Sequence, residues 1–217
     1  MQSSFLVGLA LLMIQTVTAR EVALTPPSPT RWALDAGYGF RLWDTKSTTE
    51  ERSDYEEKAR FGWVLGGDVA VFPWRHVGLG ISYYRFMSET STSDIGFGDG
   101  SRGESTDIYL IEFVGPSLYL KHDFERVTGI LQLGGGVIYY DNQHQAEDFP
   151  GVLQSVAPGF HAILSADYRI LPKLAVGLSA RFLYGVLDEI SYNGIEVPIP
   201  PISLTRVDLA AGLRFYP

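Results

Sequence analysis

Apolar and polar residues alternate along eight separate stretches of the chain, with the two-residue period of a β-strand. The clearest stretch is the last, at residues 203–217, where from Thr205 onward the two faces separate completely. One face carries Thr205, Val207, Leu209, Ala211, Leu213 and Phe215. The other carries Arg206, Asp208, Ala210, Gly212, Arg214 and Tyr216. The eight strands are predicted at residues 30–43, 59–72, 76–87, 107–121, 127–140, 155–170, 174–187 and 203–217.

The connections between these strands alternate between long and short. Four long polar connections are predicted at residues 44–58, 88–106, 141–154 and 188–202, and three short turns at 73–75, 122–126 and 171–173. Each strand has the roughly 9 to 11 residues that a tilted strand needs to cross a bilayer. Long outer loops and short periplasmic turns are typical of membrane barrels. The pattern predicts an all-β protein: an eight-stranded antiparallel up-and-down transmembrane β-barrel with both termini in the periplasm.

The fourth strand is predicted to be irregular. Glu112 is assigned to the inner face, and the phase is predicted to change near Gly115 and Pro116, because proline lacks a backbone donor and favours a bulge. The residues assigned to its outward face are Tyr109, Ile111, Phe113, Leu118 and Leu120.

The first 29 residues are predicted to lie outside the barrel. Residues 5–14 form an apolar run that is too short to span a membrane and has the length of an export-signal core, followed by small residues at 17–19. The interpretation is a signal peptide at 1–19, a flexible periplasmic tail at 20–29 and the barrel at 30–217. Residues 1–4 lack Lys and Arg, and the alternative is a buried helix of a soluble domain.

Composition excludes several classes of function. The 217 residues include no cysteine, which excludes disulfides, thiolate metal sites and a cysteine nucleophile. The net charge of −8 disfavours a nucleic-acid partner. Acidic residues outnumber basic ones in all four long connections. This excess is interpreted as solvated loop surface. The alternative is divalent-cation bridging to lipopolysaccharide phosphates or to a partner.

The polar faces of the strands predict a filled lumen. An eight-stranded barrel has room inside for little more than its own side chains, and charges buried there must pair. The expectation is therefore a salt-bridged plug rather than an open aqueous pore. The inward residues are predicted to be Arg31, Asp35, Arg41, Arg60, Asp68, Glu112, Gln132, His161, Asp167, Arg169, Arg181, Arg206, Asp208 and Arg214.

No catalytic, cofactor-binding or metal-binding residue is assigned. His161 and Ser165 share a strand face with Asp167, but four residues of strand span about 13 Å, too far for a hydrogen bond. His144 lies near two acids without a serine at a useful spacing. The glycine pair around Tyr38 lies inside a strand with no helix after it, which argues against a phosphate loop. An enzyme is not expected.

The architecture and the closing segment L-A-A-G-L-R-F-Y at residues 209–216 resemble the small eight-stranded outer-membrane β-barrel family, which includes OmpX, OmpW and the barrel of OmpA. Pro217 departs from the family's usual aromatic ending. The resemblance implies a monomeric, porin-like barrel in the Gram-negative cell envelope, without an added peptidoglycan-binding domain. Implied partners are outer-membrane lipid, lipopolysaccharide, the barrel assembly machinery and an unidentified extracellular partner of the loops.

Three functions and one rival fold follow. The first function is a structural or interaction role. The second is an OmpW-like conduit for small hydrophobic compounds, which needs a lumen that is apolar near its outer end; the inward Arg41, Arg60 and Arg181 count against it. The third is a lipid A-modifying enzyme. The rival fold is a soluble, lipocalin-like β-barrel.

Overall fold

A computed structural model describes residues 29–42, 59–96, 102–146, 151–192 and 195–217. The predicted signal peptide, almost all of the periplasmic tail and the whole of the first long connection lie outside these residues. Within the described part, nine strands run in the order β1 (Thr30–Arg41), β2 (Phe61–Val71), β3 (Val77–Gly96), β4 (Arg102–Asp123), β5 (Val127–Ala146), β6 (Gly151–Leu171), β7 (Leu174–Tyr192), β8 (Ile195–Ser203) and β9 (Arg206–Phe215). No helix in these ranges is long and apolar enough to cross a bilayer.

Eight of the strands close into an antiparallel ring. The strands β1 to β7 pair with one another in chain order. β7 then pairs with β9, and β9 pairs with β1. The seam is regular, since Trp32 pairs with Phe215 at one end and Arg41 with Arg206 at the other. The predicted up-and-down barrel of eight strands is therefore confirmed.

The ninth strand, β8, is an addition that the sequence pattern did not predict. Its partner is the upper part of β7, from Val186 to Tyr192, whereas the lower part of β7, up to Leu183, pairs with β9. The final strand begins at Arg206 rather than at Ser203, because Ser203 ends β8. The fourth predicted loop is therefore mostly a β-hairpin standing on the ring.

The second and third predicted long loops are also largely strand. β3 and β4 stay paired as far as Gly96 and Arg102, and β5 and β6 as far as His144 and Gly151. Ladder hydrogen bonds use only backbone groups, so polar side chains did not prevent pairing. The three short turns lie between β2 and β3, β4 and β5, and β6 and β7, as predicted.

The predicted phase change in the fourth strand is wrong. β4 keeps one register against β3 through Pro116, and odd-numbered residues point inward from Asp107 to Lys121. Tyr109, Ile111 and Phe113 are buried in the lumen. Glu112 faces outward, where its carboxylate forms an ion pair with Arg85 at 2.6 Å. The alternation rule failed here because the inner face of this strand is itself apolar.

The outer surface of the ring is an apolar belt. On β1, β7 and β9 the outward leucines Leu34, Leu178 and Leu209 are 71%, 68% and 66% exposed. Large apolar side chains project outward on every strand of the ring. In water such a continuous apolar surface is unfavourable, whereas in a bilayer it matches the hydrocarbon around it. The inside-out pattern is that of a transmembrane β-barrel.

The belt predicts a depth-dependent cost for a charge. We expect Leu209→Arg, near the middle of the belt, to destabilise the barrel by about 2 to 4 kcal/mol, because the guanidinium must enter hydrocarbon. The matched control is Ser91→Arg, an outward position on the extended part of β3. Urea unfolding from lipid vesicles, followed by tryptophan fluorescence, measures both variants. Equal stability of the two variants would contradict the lipid-facing assignment.

Candidate functional site

The interior of the barrel is layered along its axis. Upward from the short turn after β2, the inward residues are Phe72, Ala70, Asp68, Gly66 and Val64. A lower apolar tier comes first, then a polar tier, then an upper apolar tier. The lower tier consists of Ala70, Phe72, Tyr119 and Ile130. The upper tier consists of Ala59, Val64, Tyr84, Phe86, Tyr109, Ile111, Phe113, Ile138, Tyr140, Ala157, Ile163, Leu183, Leu187 and Leu204.

A chain of six alternating charges forms one side of the polar tier. Arg31 joins Asp68 at 2.5 Å and Asp167 at 3.0 Å. Arg214 joins Asp167 at 3.1 Å and Asp35 at 2.7 Å, and Arg181 pairs with the other oxygen of Asp35. All six side chains are buried. Three arginines thus balance three aspartates across five strands, and the predicted salt-bridged plug is what the lumen contains here.

Neutral side chains fill the opposite side of the polar tier. The amide nitrogen of Gln132 lies 2.5 Å from Ser82 Oγ, 3.2 Å from Ser117 Oγ and 3.2 Å from His161 Nε2. Ser82 Oγ also lies 2.9 Å from Ser117 Oγ and 3.2 Å from the Tyr119 hydroxyl. Buried polar groups are costly unless they are hydrogen-bonded. The side chains of this cluster meet that requirement by hydrogen-bonding to one another.

Inward glycines create the space that these side chains fill. A Cβ atom on Gly177 would lie 2.9 Å from the guanidinium carbon of Arg214. On Gly134 it would lie 2.7 Å from Ser117 Oγ and 2.8 Å from His161 Nε2. Real Cβ atoms do not approach so closely. The glycines on the polar face therefore leave the space that the large side chains beside them occupy.

Two arginines project into the upper apolar tier. Arg206 pairs with Asp208 at 3.2 Å, donates to the Ile111 carbonyl at 3.3 Å and lies over the Phe86 ring at 5.2 Å. Arg41 lies over the Tyr109 ring at 5.3 Å. These cation–π contacts let charged groups sit among aromatic side chains. The upper half of the interior, on the side away from the short turns, is therefore apolar and aromatic despite its two arginines.

The barrel wall is interrupted beside this upper tier. The β6–β7 ladder stops between Gly159 and Gln154, and the pairing resumes with a shifted register. Pro158, in the gap, has no backbone donor, and Ser155 Oγ instead donates to the Glu189 carbonyl at 2.6 Å. Ala157 and Leu187, on the two sides of the gap, both belong to the upper tier.

The possible triad of His161, Ser165 and Asp167 does not assemble. Asp167 accepts bonds from Arg31, Arg214 and the Tyr216 hydroxyl, the last at 2.7 Å. His161 Nε2 contacts Ser117 Oγ at 3.1 Å, on β4 two strands away, which spacing along one strand did not reveal. Both residues of that pair are buried, and within the described part of the chain no carboxylate accepts a hydrogen bond from His161 Nδ1. The pair is thus part of the packing of the polar tier.

Three other features from the sequence analysis are the glycines around Tyr38, the inward Arg169 and the loop residue His144. The glycines around Tyr38 lie inside β1, as expected. Arg169 is half-buried near the short turns and pairs with Asp123 at 3.0 Å. The side chain of His144 and both of its acidic neighbours fall outside the described residues. Across the ranges that the structure does describe, no three His, Asp or Glu side chains form a metal-binding group.

The plug predicts a large stability cost when one of its charges is removed. We expect Asp35→Asn to destabilise the barrel by about 3 to 5 kcal/mol, because Arg181 and Arg214 lose a buried counter-charge. Asp188→Asn, an exposed position on β7, is the matched control and should change stability by about 0.5 kcal/mol or less. Urea midpoints in vesicles measure both. Equal midpoints would show that the ion pairs do not hold the barrel together.

Comparison with known proteins supports the fold alone. No family model matches the sequence, and no curated protein matches it. The crystal structure of Neisserial surface protein A (NspA) is similar, with a TM-score of 0.56 and 12% identity over 87% of this chain and 97% of that chain. A major outer membrane protein from Thermus thermophilus gives 0.56 and 12% over 86% and 98%, respectively. The outer membrane protein OprG from Pseudomonas aeruginosa gives 0.54 and 9% over 89% and 98%. The chain has the fold of the small outer-membrane β-barrel proteins.

Proposed function

We propose that this protein is an outer-membrane β-barrel with a closed lumen, and that its role is structural or is binding at the cell surface. The observation that carries the proposal is the neutral chain of three arginines and three aspartates in the polar tier. Opening a water-filled path through it would separate buried charges, which is costly. A barrel closed in this way serves as an anchor for what projects from it.

The projecting parts are the extended hairpins opposite the short turns. In this proposal they face the outside, and both termini face the periplasm. Glu89, Asp188, Glu189 and Glu196 are exposed on them. This acidic surface suits a basic partner, or lipopolysaccharide phosphates bridged by divalent cations. Insertion would depend on the barrel assembly machinery, for which the alternating final strand is the proposed signal. The barrel acts as a monomer in this proposal.

The upper apolar tier favours a second candidate function, a conduit for small hydrophobic compounds. The tier is lined by aromatic and aliphatic side chains and borders the gap between β6 and β7. A compound entering from the hairpin end would meet apolar surface, and the polar tier beneath would stop it. The gap would then be its exit into the membrane. This candidate requires the upper tier to open, since its residues are packed against one another.

A catalytic role is not proposed. Acyl transfer or hydrolysis needs a nucleophile and a base that a substrate can reach. The Ser117–His161 pair is enclosed by Gln132, Phe113 and Tyr84.

The first proposal predicts a heat-sensitive, non-conducting barrel. In mild detergent, unboiled protein should migrate differently from boiled protein, because a closed barrel resists the detergent until it is heated. In planar bilayers the same preparation should give no steady ion conductance. Identical migration would contradict the membrane barrel, and stable conducting events would contradict the closed lumen.

The second candidate predicts a lateral route that a bulky side chain blocks. If it is correct, the purified barrel in vesicles will speed uptake of an apolar fluorescent dye, and Ala157→Trp at the gap will abolish the effect. Ala166→Trp, which lies on the outward face of the same strand, is the matched control and should leave uptake unchanged. Uptake equal to that of protein-free vesicles would rule this candidate out.

A further inference from the structure

The end of the barrel that carries the short turns is basic, in contrast to the acidic hairpin end. We define the short-turn rim as residues 72–76, 121–128 and 169–174. It holds five basic residues, Arg75, Lys121, Arg126, Arg169 and Lys173, against two acidic ones, Asp123 and Glu125. It also holds His76 and His122.

The short-turn rim is one connected surface. The Lys121 amide donates to the His76 carbonyl at 2.8 Å, and the two histidine rings stack at 6.2 Å. The His122 ring meets Phe124 edge-on at 4.6 Å. The Arg169 amide donates to the Arg126 carbonyl at 2.8 Å, which ties in the next turn. The backbones of the three turns that carry the basic residues are therefore held together.

One carboxylate serves two cations within the rim. Asp123 pairs with Arg169 at 3.0 Å through one oxygen and lies 3.6 Å from Lys121 Nζ through the other. Lys121 is buried, with its ammonium 4.6 Å from the centre of the Phe72 ring. Lys121 and Arg169 thus share one carboxylate, and Arg126 and Lys173 are exposed beside them. An added anion would be stabilised at this surface.

The rim also lies at the depth of lipid headgroups. It directly borders the apolar belt, whose lowest outward residues include Val77, Leu120 and Val127. Trp74 and Phe124 project from it and are 65% and 45% exposed. Exposed aromatic side chains at the edge of an apolar belt are typical of a membrane interface, where tryptophan in particular anchors at headgroup level. An anion that meets this surface is a lipid phosphate.

We propose that the short-turn rim binds the phosphate headgroups of anionic phospholipids in the leaflet that it faces. The proposal rests on the proposed membrane barrel but not on which way the barrel points. Arg126 and Lys173 are exposed on the turns that follow β4 and β6, and they would contact the headgroup directly. Zwitterionic lipids, whose amine offsets the phosphate charge, would bind more weakly at the same place.

The test is native mass spectrometry of the full chain, delipidated in detergent and titrated with phosphatidylglycerol or with phosphatidylcholine of the same acyl chains. The wild type should retain phosphatidylglycerol in preference. Arg126→Gln should weaken phosphatidylglycerol binding about 5-fold and Arg126→Gln with Lys173→Gln about 25-fold, because each basic side chain near a charged lipid surface contributes independently. Phosphatidylcholine binding should not change.

The matched control is Arg85→Gln, which removes an exposed arginine on the outer wall away from the rim and should leave the lipid preference unchanged. Heat-dependent migration of each variant checks that it still forms the barrel. Equal retention of the two lipids by a heat-modifiable wild type would overturn the rim proposal and leave the proposed function standing. Displacement of phosphatidylglycerol by millimolar inorganic phosphate would assign the site to soluble phosphate instead, which also overturns it.

Discussion

The buried ion pairs between β1, β2, β6, β7 and β9 are the constraint on which the rest of the barrel depends. Asp167 and Asp35 each serve two arginines, and Arg214 joins the two aspartates. Each arginine and aspartate of this charge chain has its counter-charge inside the lumen. Removing one therefore leaves a neighbouring buried charge unpaired, which is costly. The outside of the barrel can then be largely apolar, with the Arg85–Glu112 pair as an outward exception.

This inside-out arrangement also explains where the small residues are. The inward glycines lie where a Cβ atom would collide with Arg214, Ser117 or His161, so the lumen is packed by pairing the smallest residues with large ones. The outward face has the opposite requirement, because lipid fills any gap there. The size of each side chain is thus tightly constrained inside the wall and only loosely constrained outside it. The polar tier closes the lumen by packing as much as by charge.

The two ends of the barrel are chemically different, and the proposed roles follow that difference. The hairpin end is extended and acidic, with an apolar interior just beneath it and a break in the wall between β6 and β7. The short-turn end is compact and basic, with aromatic side chains at the edge of the belt. The proposed surface role therefore falls to the first end, and the proposed contact with anionic lipid headgroups to the second.

The sequence alone determined the eight-stranded ring, the apolar outer face and the charged interior, because a side-chain period of two is a local property that each strand displays by itself. It misassigned β4, where Tyr109, Ile111 and Phe113 pack inside and Glu112 faces out: an apolar inner face removes the contrast on which the alternation depends. Polar composition also concealed β8 and the paired extensions of β3 to β6, since ladders form between backbones. Only the tertiary structure decided which charges meet, that Ser117 rather than Ser165 lies beside His161, and that the interior is layered. Those contacts join residues from different strands, and their register is set by the whole ring closing at once.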